Sequence, residues 1–153
     1  MRVVVAVVGK PRDTALAAAI HGYETRAARY WPLDVHEVRE ARAGAAAPPL
    51  VRDTEGKRLA ECTASCHVVA CDVTGRCFSS EKFAAWLQGM RERDQNVAFV
   101  IGGAFGLSKT ILAGASMKLA LAPWTLPHEL ARLVLSEQLY RAGSIVRGEP
   151  YHK

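Results

Sequence analysis

No apolar run in this 153-residue chain approaches the roughly 20 residues that a membrane-spanning helix requires. The opening stretch from Met1 to Gly9 is too short for the apolar segment of a secretory signal, and it lacks a small-residue cleavage site. A cytoplasmic protein with reduced thiols is the expectation. Cysteine is scarce: Cys62, Cys66, Cys71 and Cys77 are the four, with His67 among them. Structural zinc favours two closely spaced cysteine pairs. Cys62 and Cys66 form one loose pair, no second follows, and Cys71 falls in an apparent strand. Small buried thiols without a metal are expected, and a thiol metal module on Cys62, Cys66 and Cys71 ranks last among the readings. Internal repeats, an interdomain linker and low-complexity tracts beyond one Ala/Pro loop are also missing, so a single domain over residues 1–153 is expected. Absent too are a Walker loop and a G-x-G-x-x-G fingerprint, which argues against a nucleotide triphosphate or a dinucleotide.

What is present is a core-forming composition with 50% hydrophobic residues and a net charge of +5. A chain of this length buries roughly 70% of its unfolded surface without disulfides. The basic excess favours an anionic partner such as RNA but does not establish one. Val3 to Val8 reads as a buried strand. Asp13-Thr14 caps a helix running to about Tyr30, stopped by Pro32. Leu33 to Val38 is a second strand, Ala41 to Pro49 a mobile loop, and about Asp53 to Ala64 a helix. His67 to Asp72 is a strand ending in a turn at Gly75. Ser79 or Ser80 caps a helix with Phe83, Ala84, Leu87 and Met90 on one face. Val97 to Ile101 is a strand, Gly102 to Gly106 a turn, and Ser108 a cap. Lys118 to Ala122 forms a last strand, and Thr125 caps a final helix to about Ala142 with Pro127 in its first turn. Strands alternating with helices mean an α/β fold with a parallel sheet flanked by helices.

Three regions hold residues that a core does not need. Gly102-Gly103-Ala104-Phe105-Gly106 follows a strand and precedes a helix, a layout that brings backbone amides close to a ligand; a tight turn needing glycine is as good a reading of the segment alone. Asp72 ends a strand, where α/β sheets line ligand crevices, although an Asp beginning a turn is the commoner case. The last quarter crowds His128, Glu137, Tyr140, Arg141, Tyr151, His152 and Lys153 together. Glu137 and Arg141 stand four apart and can simply pair. The positive end of a helix dipole disfavours a charged imidazole at His128, which suits a base.

Val8-Gly9-Lys10, Glu55-Gly56, Ser79-Ser80-Glu81-x-Phe83-Ala84 and Phe99-Val100-Ile101-Gly102-Gly103-x-x-Gly106-Leu107 stand in the order of a known family, as do Thr125-Leu126-Pro127-His128, Glu137-Gln138-x-Tyr140-Arg141-Ala142 and Pro150-Tyr151-His152-Lys153. On these motifs, which span the chain, it resembles the RlmH family of SPOUT-class methyltransferases. The resemblance implies S-adenosylmethionine as cofactor and methylation of N3 of a pseudouridine in 23S rRNA, with the assembled 70S ribosome rather than DNA as partner. It also implies a homodimer and a SPOUT-type sheet with a C-terminal deep trefoil knot. Cofactor contacts carry over to Cys71, Gly103 and Ala122, Pro123, Trp124, Thr125, Leu126 and Pro127. Residues by the target base carry over to His128, Arg141, Tyr151 and His152, with Arg141 and Lys153 holding RNA, and the tail of one subunit near the cofactor of the other. His128 and His152 both stay open as the base. Cys71 stands where the family usually has leucine, and Ala120-Leu121-Ala122-Pro123-Trp124-Thr125 replaces a Ser-Leu-Ser-x-Met-Thr pattern. Two lost hydroxyls weaken binding by about 0.5–1.5 kcal/mol each if they touch the cofactor. Lys153 replaces a common arginine, reducing a forked phosphate contact to a point charge. An RNA-binding protein of the same fold without methyl transfer is the alternative.

Overall fold

The β-branched and aromatic runs form a five-stranded parallel sheet in a computed structural model that describes every residue except 43, 45 and 46. The strands are β1 (Val3–Val8), β2 (Leu33–Val38), β3 (His67–Arg76), β4 (Val97–Ile101) and β5 (Met117–Leu119), in the order β2-β1-β4-β3-β5. All four pairings are parallel. Every residue of β1 and β4 is buried, as continuous apolar strands covered on both faces must be, whereas no residue of edge strand β2 is fully buried.

Five helices cover the faces: α1 (Thr14–Ala27), α2 (Pro48–Cys62), α3 (Ser80–Glu92), α4 (Lys109–Gly114) and α5 (His128–Val146). Side chains alternate across β1, so Val3, Val5 and Val7 meet Trp31, Phe83, Leu87, Met90, Leu135 and Leu139 beneath α1, α3 and α5. Ala6 and Val8 face Leu59 and Ile111 beneath α2 and α4. The Trp31 indole donates to the Leu139 carbonyl at 2.8 Å, tying the end of α1 to α5. Arg132 of α5 is buried, with its guanidinium on Glu24 of α1 at 2.8 Å and Glu37 of β2 at 2.7 Å. Burial works against its charge, yet the two carboxylates outweigh that and raise its pKa.

Asp13, Ser79 and Ser108 cap α1, α3 and α4 through their side chains. Other boundaries differ from the sequence reading. α1 ends at Ala27 rather than Tyr30. α2 starts at Pro48, not Asp53, because the first helical positions have no use for an amide that proline lacks. The mobile loop expected over Ala41 to Pro49 thus gives its last two residues to a helix, and Ala43, Ala45 and Ala46 lie outside the described residues. α2 ends at Cys62, short of Ala64.

β3 does not stop near Asp72. It runs to Arg76 through a bulge, with Cys71 and Arg76 both opposite Leu119. Asp72 still behaves as a turn former, accepting from the Thr74 amide at 2.9 Å and from its hydroxyl. Gly75 is forced by close approach: a Cβ there would lie 2.5 Å from the Leu119 nitrogen. β5 is confined to Met117–Leu119, so Ala120 to Ala122, expected to end that strand, belong instead to the loop that runs to Pro127. Thr125 caps nothing; Pro127 occupies the N-cap of α5 without a side-chain bond, and α5 continues to Val146.

Candidate active site

The carboxyl ends of β3, β4 and β5 open into a pocket of about 610 Å³. Ligand crevices of parallel α/β sheets lie at this rim. Three loops wall it: Cys71 to Val73 from the β3 bulge, Ile101 to Leu107 after β4, and Leu121 to His128 after β5. The glycine segment is both a tight turn and a pocket wall. Gly106 has φ +79°, its amide donates to the Gly103 carbonyl at 3.0 Å, and a Cβ on Gly102 would lie 2.5 Å from the Gly106 backbone. Gly103 is pressed from behind, since its Cβ would meet Glu55 and Val8 at 3.0 Å.

Cys71, Gly103, Ala122, Trp124, Thr125, Leu126 and Pro127 all line this pocket, whereas Pro123 lies in the same loop but off its wall. Burial, helped by the negative charge of Asp72, pushes the Cys71 thiol up to about 12. It is an uncharged, apolar piece of wall. Asp72 lines the rim as well. Trp124 is 71% exposed and Val73 52%, two large apolar side chains at the pocket mouth. Among the described residues no group of three or more His, Cys, Asp and Glu side chains is placed to hold a metal ion.

His128, the first residue of α5, lines the same pocket. The other sequence candidates do not join it. Arg141 lies 13 residues further along α5, about 20 Å away at 1.5 Å per residue. There it belongs to a second cluster. Its guanidinium bonds Glu137 at 2.6 and 2.9 Å, which raises its pKa, and stands 4.7 Å over the Tyr151 ring. The Tyr151 hydroxyl donates to Glu137 at 3.0 Å, and its ring packs 4.5 Å from that of Tyr140. Burial and hydrogen bonds to Tyr23 and Glu137 raise the Tyr151 pKa.

His152 completes the cluster, with Nδ1 3.3 Å from the Arg141 guanidinium and Nε2 2.9 Å from Glu81. Because arginine only donates, the network assigns Nδ1 as acceptor and Nε2 as donor. Neither ring nitrogen is free. Glu81 is held down to about 2, first by its own backbone amide, then by the Ser79 hydroxyl and His152. Lys153 is exposed at the tip.

Sequence reasoning missed Arg132, whose two carboxylate partners stand 108 and 95 residues away. Its only signal was an arginine inside the apolar face of the last helix. The buried Glu55, which accepts the Ala41 amide at 3.0 Å and backs Gly103, was noticed only as part of a motif.

A family profile described as "Predicted SPOUT methyltransferase" matches residues 1–152. A protein of Gemmatimonas aurantiaca named ribosomal RNA large subunit methyltransferase H is 56% identical over 154 residues, covering all of both chains. One of the same name from Anaeromyxobacter dehalogenans is 42% identical, again over all of both chains. Among solved structures, a probable methylase family protein from Haemophilus influenzae aligns with a TM-score of 0.54 at 14% identity, covering 99% of this chain and 70% of that one. At that identity the likeness speaks for the fold alone.

Proposed function

The chain belongs to the SPOUT methyltransferase family, and from that membership we propose that it uses S-adenosylmethionine to methylate RNA of the large ribosomal subunit. The acceptor is N3 of a pseudouridine in 23S rRNA, and the substrate is the assembled 70S ribosome. The working unit is a cytoplasmic homodimer of one catalytic domain spanning residues 1–153, its C-terminal segment threaded as a trefoil knot.

The observation that carries this reading is the pocket at the carboxyl rim, in a chain that full-length relatives named for this activity match end to end. Its residues fit the cofactor. The volume lies within the range of ligand clefts. The glycine turn lines the pocket with backbone in a tight path that a Cβ at Gly102 or Gly103 would disturb, and Cys71, Leu121 and Leu126 supply apolar wall. Bound there, the sulfonium supplies an activated methyl group. The chain's own work is alignment and proton handling. The backbone of Gly103 and of Ala122 to Pro127 holds the cofactor, with Pro123 shaping the loop. With backbone doing the binding, the missing hydroxyls at Ala120 and Ala122 matter little.

His128 takes the N3 proton from its place on the pocket wall, a choice favoured by the engagement of both His152 nitrogens. Arg141, Tyr151 and His152 hold the base, and Arg141 and Lys153 the phosphate, from a second copy of the chain. Two features support that division: the tail lies about 20 Å along α5 from its own pocket, and exposed Trp124 and Val73 leave apolar surface at the pocket mouth for another subunit.

The test is transfer of labelled methyl from S-adenosylmethionine to 70S ribosomes from cells lacking the activity. Label on a pseudouridine is expected in wild type, with turnover lost and cofactor binding retained, though weaker, when Tyr151 to Lys153 are deleted. No label and no cofactor binding would leave the RNA-binding alternative standing.

A further inference from the structure

A second pocket, of about 310 Å³, is lined by Arg39, Glu40, Ala41, Arg42, Leu50, Val51, Thr54 and Arg58. It lies just beyond Val38, the last residue of β2, and so on the same carboxyl rim as the site above. β2 and β4 are separated only by β1. At about 4.8 Å per strand the two pockets are roughly 10–15 Å apart along that rim. Between them lie Lys10 and Pro11, beside His128.

The charge of this pocket is poised for an anion. Its one acidic lining residue, Glu40, is already paired with Arg12 at 2.7 Å. The Arg58 guanidinium is pinned by a 2.6 Å bond to the Arg39 carbonyl, which uses one of its donors and leaves the rest. Among the described residues, the guanidinium groups of Arg39 and Arg42 have no hydrogen-bond or ion-pair partner. The start of α2 contributes little: its first two residues are proline and lack an amide hydrogen, and the Leu50 amide is taken by the Ala47 carbonyl at 3.0 Å. The cations, not the helix end, make this site. Three forked donors around a half-open cavity suit a tetrahedral oxyanion with several acceptor oxygens.

Resting on the reading that this protein methylates rRNA, we propose that the Arg39–Arg42–Arg58 pocket binds a backbone phosphate of the substrate RNA, a few nucleotides from the methylated base. The rim spacing matches that role: a strand whose target base enters the first pocket passes the second within a short run of backbone. The arginines contact phosphate and fix register, while the first pocket selects the base. Their loop is also coupled to the first pocket, because the carboxylate of Glu55 accepts the Ala41 amide and backs Gly103.

The experiment compares binding of wild type, Arg39→Glu, Arg42→Ala/Arg58→Ala and Arg29→Glu to 70S ribosomes across a salt series, with calorimetry of S-adenosylmethionine alongside. Arg29 lies just past α1, at the opposite rim, and controls for net charge. The expected result is at least roughly tenfold weaker ribosome binding for both pocket variants, with a salt slope flatter by about 1. Cofactor binding stays at the wild-type value, and the Arg29 variant follows wild type. Equal losses in all variants would reduce the pocket to general charge and overturn the proposal. So would pocket variants that bind like wild type. A wild type that neither binds nor methylates ribosomes would bring down the functional reading itself, an outcome distinct from both.

Discussion

Replacing Arg132 by methionine keeps the length of the side chain and removes its charge from beneath α5. Two carboxylates then lose their partner at once. Glu24 is 12% exposed and Glu37 26%, so water reaches the second better than the first. Breaking one side of a buried ion pair costs about 3–5 kcal/mol. The partial exposure of Glu37 argues for the lower end, about 3 kcal/mol. For a domain of this size each kcal/mol moves Tm by about 2–4 °C, giving a fall of roughly 6–12 °C. Urea denaturation reads the same loss as a shifted midpoint at constant slope. The cause is separable from lost packing. Adding Glu24→Gln and Glu37→Gln to Arg132→Met removes the stranded charges and should recover at least about half of the loss. A single variant that loses under about 1 kcal/mol, as exposed ion pairs do, would refute the reasoning. So would a triple variant no better than the single.

Gly75→Ala pushes a methyl group against the β5 backbone, and crowding of this kind costs about 1–3 kcal/mol. If half of that is relieved by displacing residues 120–127, S-adenosylmethionine affinity falls roughly 2- to 12-fold by calorimetry; an unchanged Kd would show that β5 does not set the loop. Thiol reactivity has a clear sign: because Cys71 stays protonated until about pH 12, iodoacetamide at about pH 8 should label exposed Cys77 and spare Cys71 in the native protein. Mass spectrometry after digestion checks this, and labelling of half-buried Cys71 as fast as that of Cys77 would contradict its raised pKa.

Much of the frame was readable because each signal was local. The apolar runs at Val3–Val8 and Val97–Ile101 state both strand and double-sided burial, and Asp13, Ser79 and Ser108 cap helices within their own turns. Failures came where a distant neighbour decides. Asp72 and Gly75 carry the chemistry of a turn, yet β5 holds that segment in the sheet as a bulge. Thr125 has the side chain of a cap, but the wall of the pocket claims its loop and Pro127 takes the position. Pro48 and Pro49 look like loop because proline breaks helices, except at their first residues. At the candidate site, the Glu137–Arg141 spacing announced its own ion pair. The fold-back of Tyr151 and His152 onto it, and the distance of that cluster from His128, required three dimensions. The Arg39, Arg42 and Arg58 pocket was invisible for the same reason: β2, its following loop and the middle of α2 meet only once the sheet forms.

The closure of α5 on α1 has a consequence for how the protein is made. Trp31 meets Leu139, Arg132 meets Glu24, and the Arg12 amide meets Glu129 across 117 residues. Such long-range contacts raise contact order and slow folding, since loop closure must precede any reward. During translation all five strands emerge before α5, the helix that packs on both α1 and α3, so one apolar face is only partly covered until it arrives. A nascent chain stalled before residue 128 lacks Leu135, Leu139 and Ala142 of that core and leaves the apolar sides of α1 and α3 unsealed, a surface fit for chaperone capture rather than for catalysis.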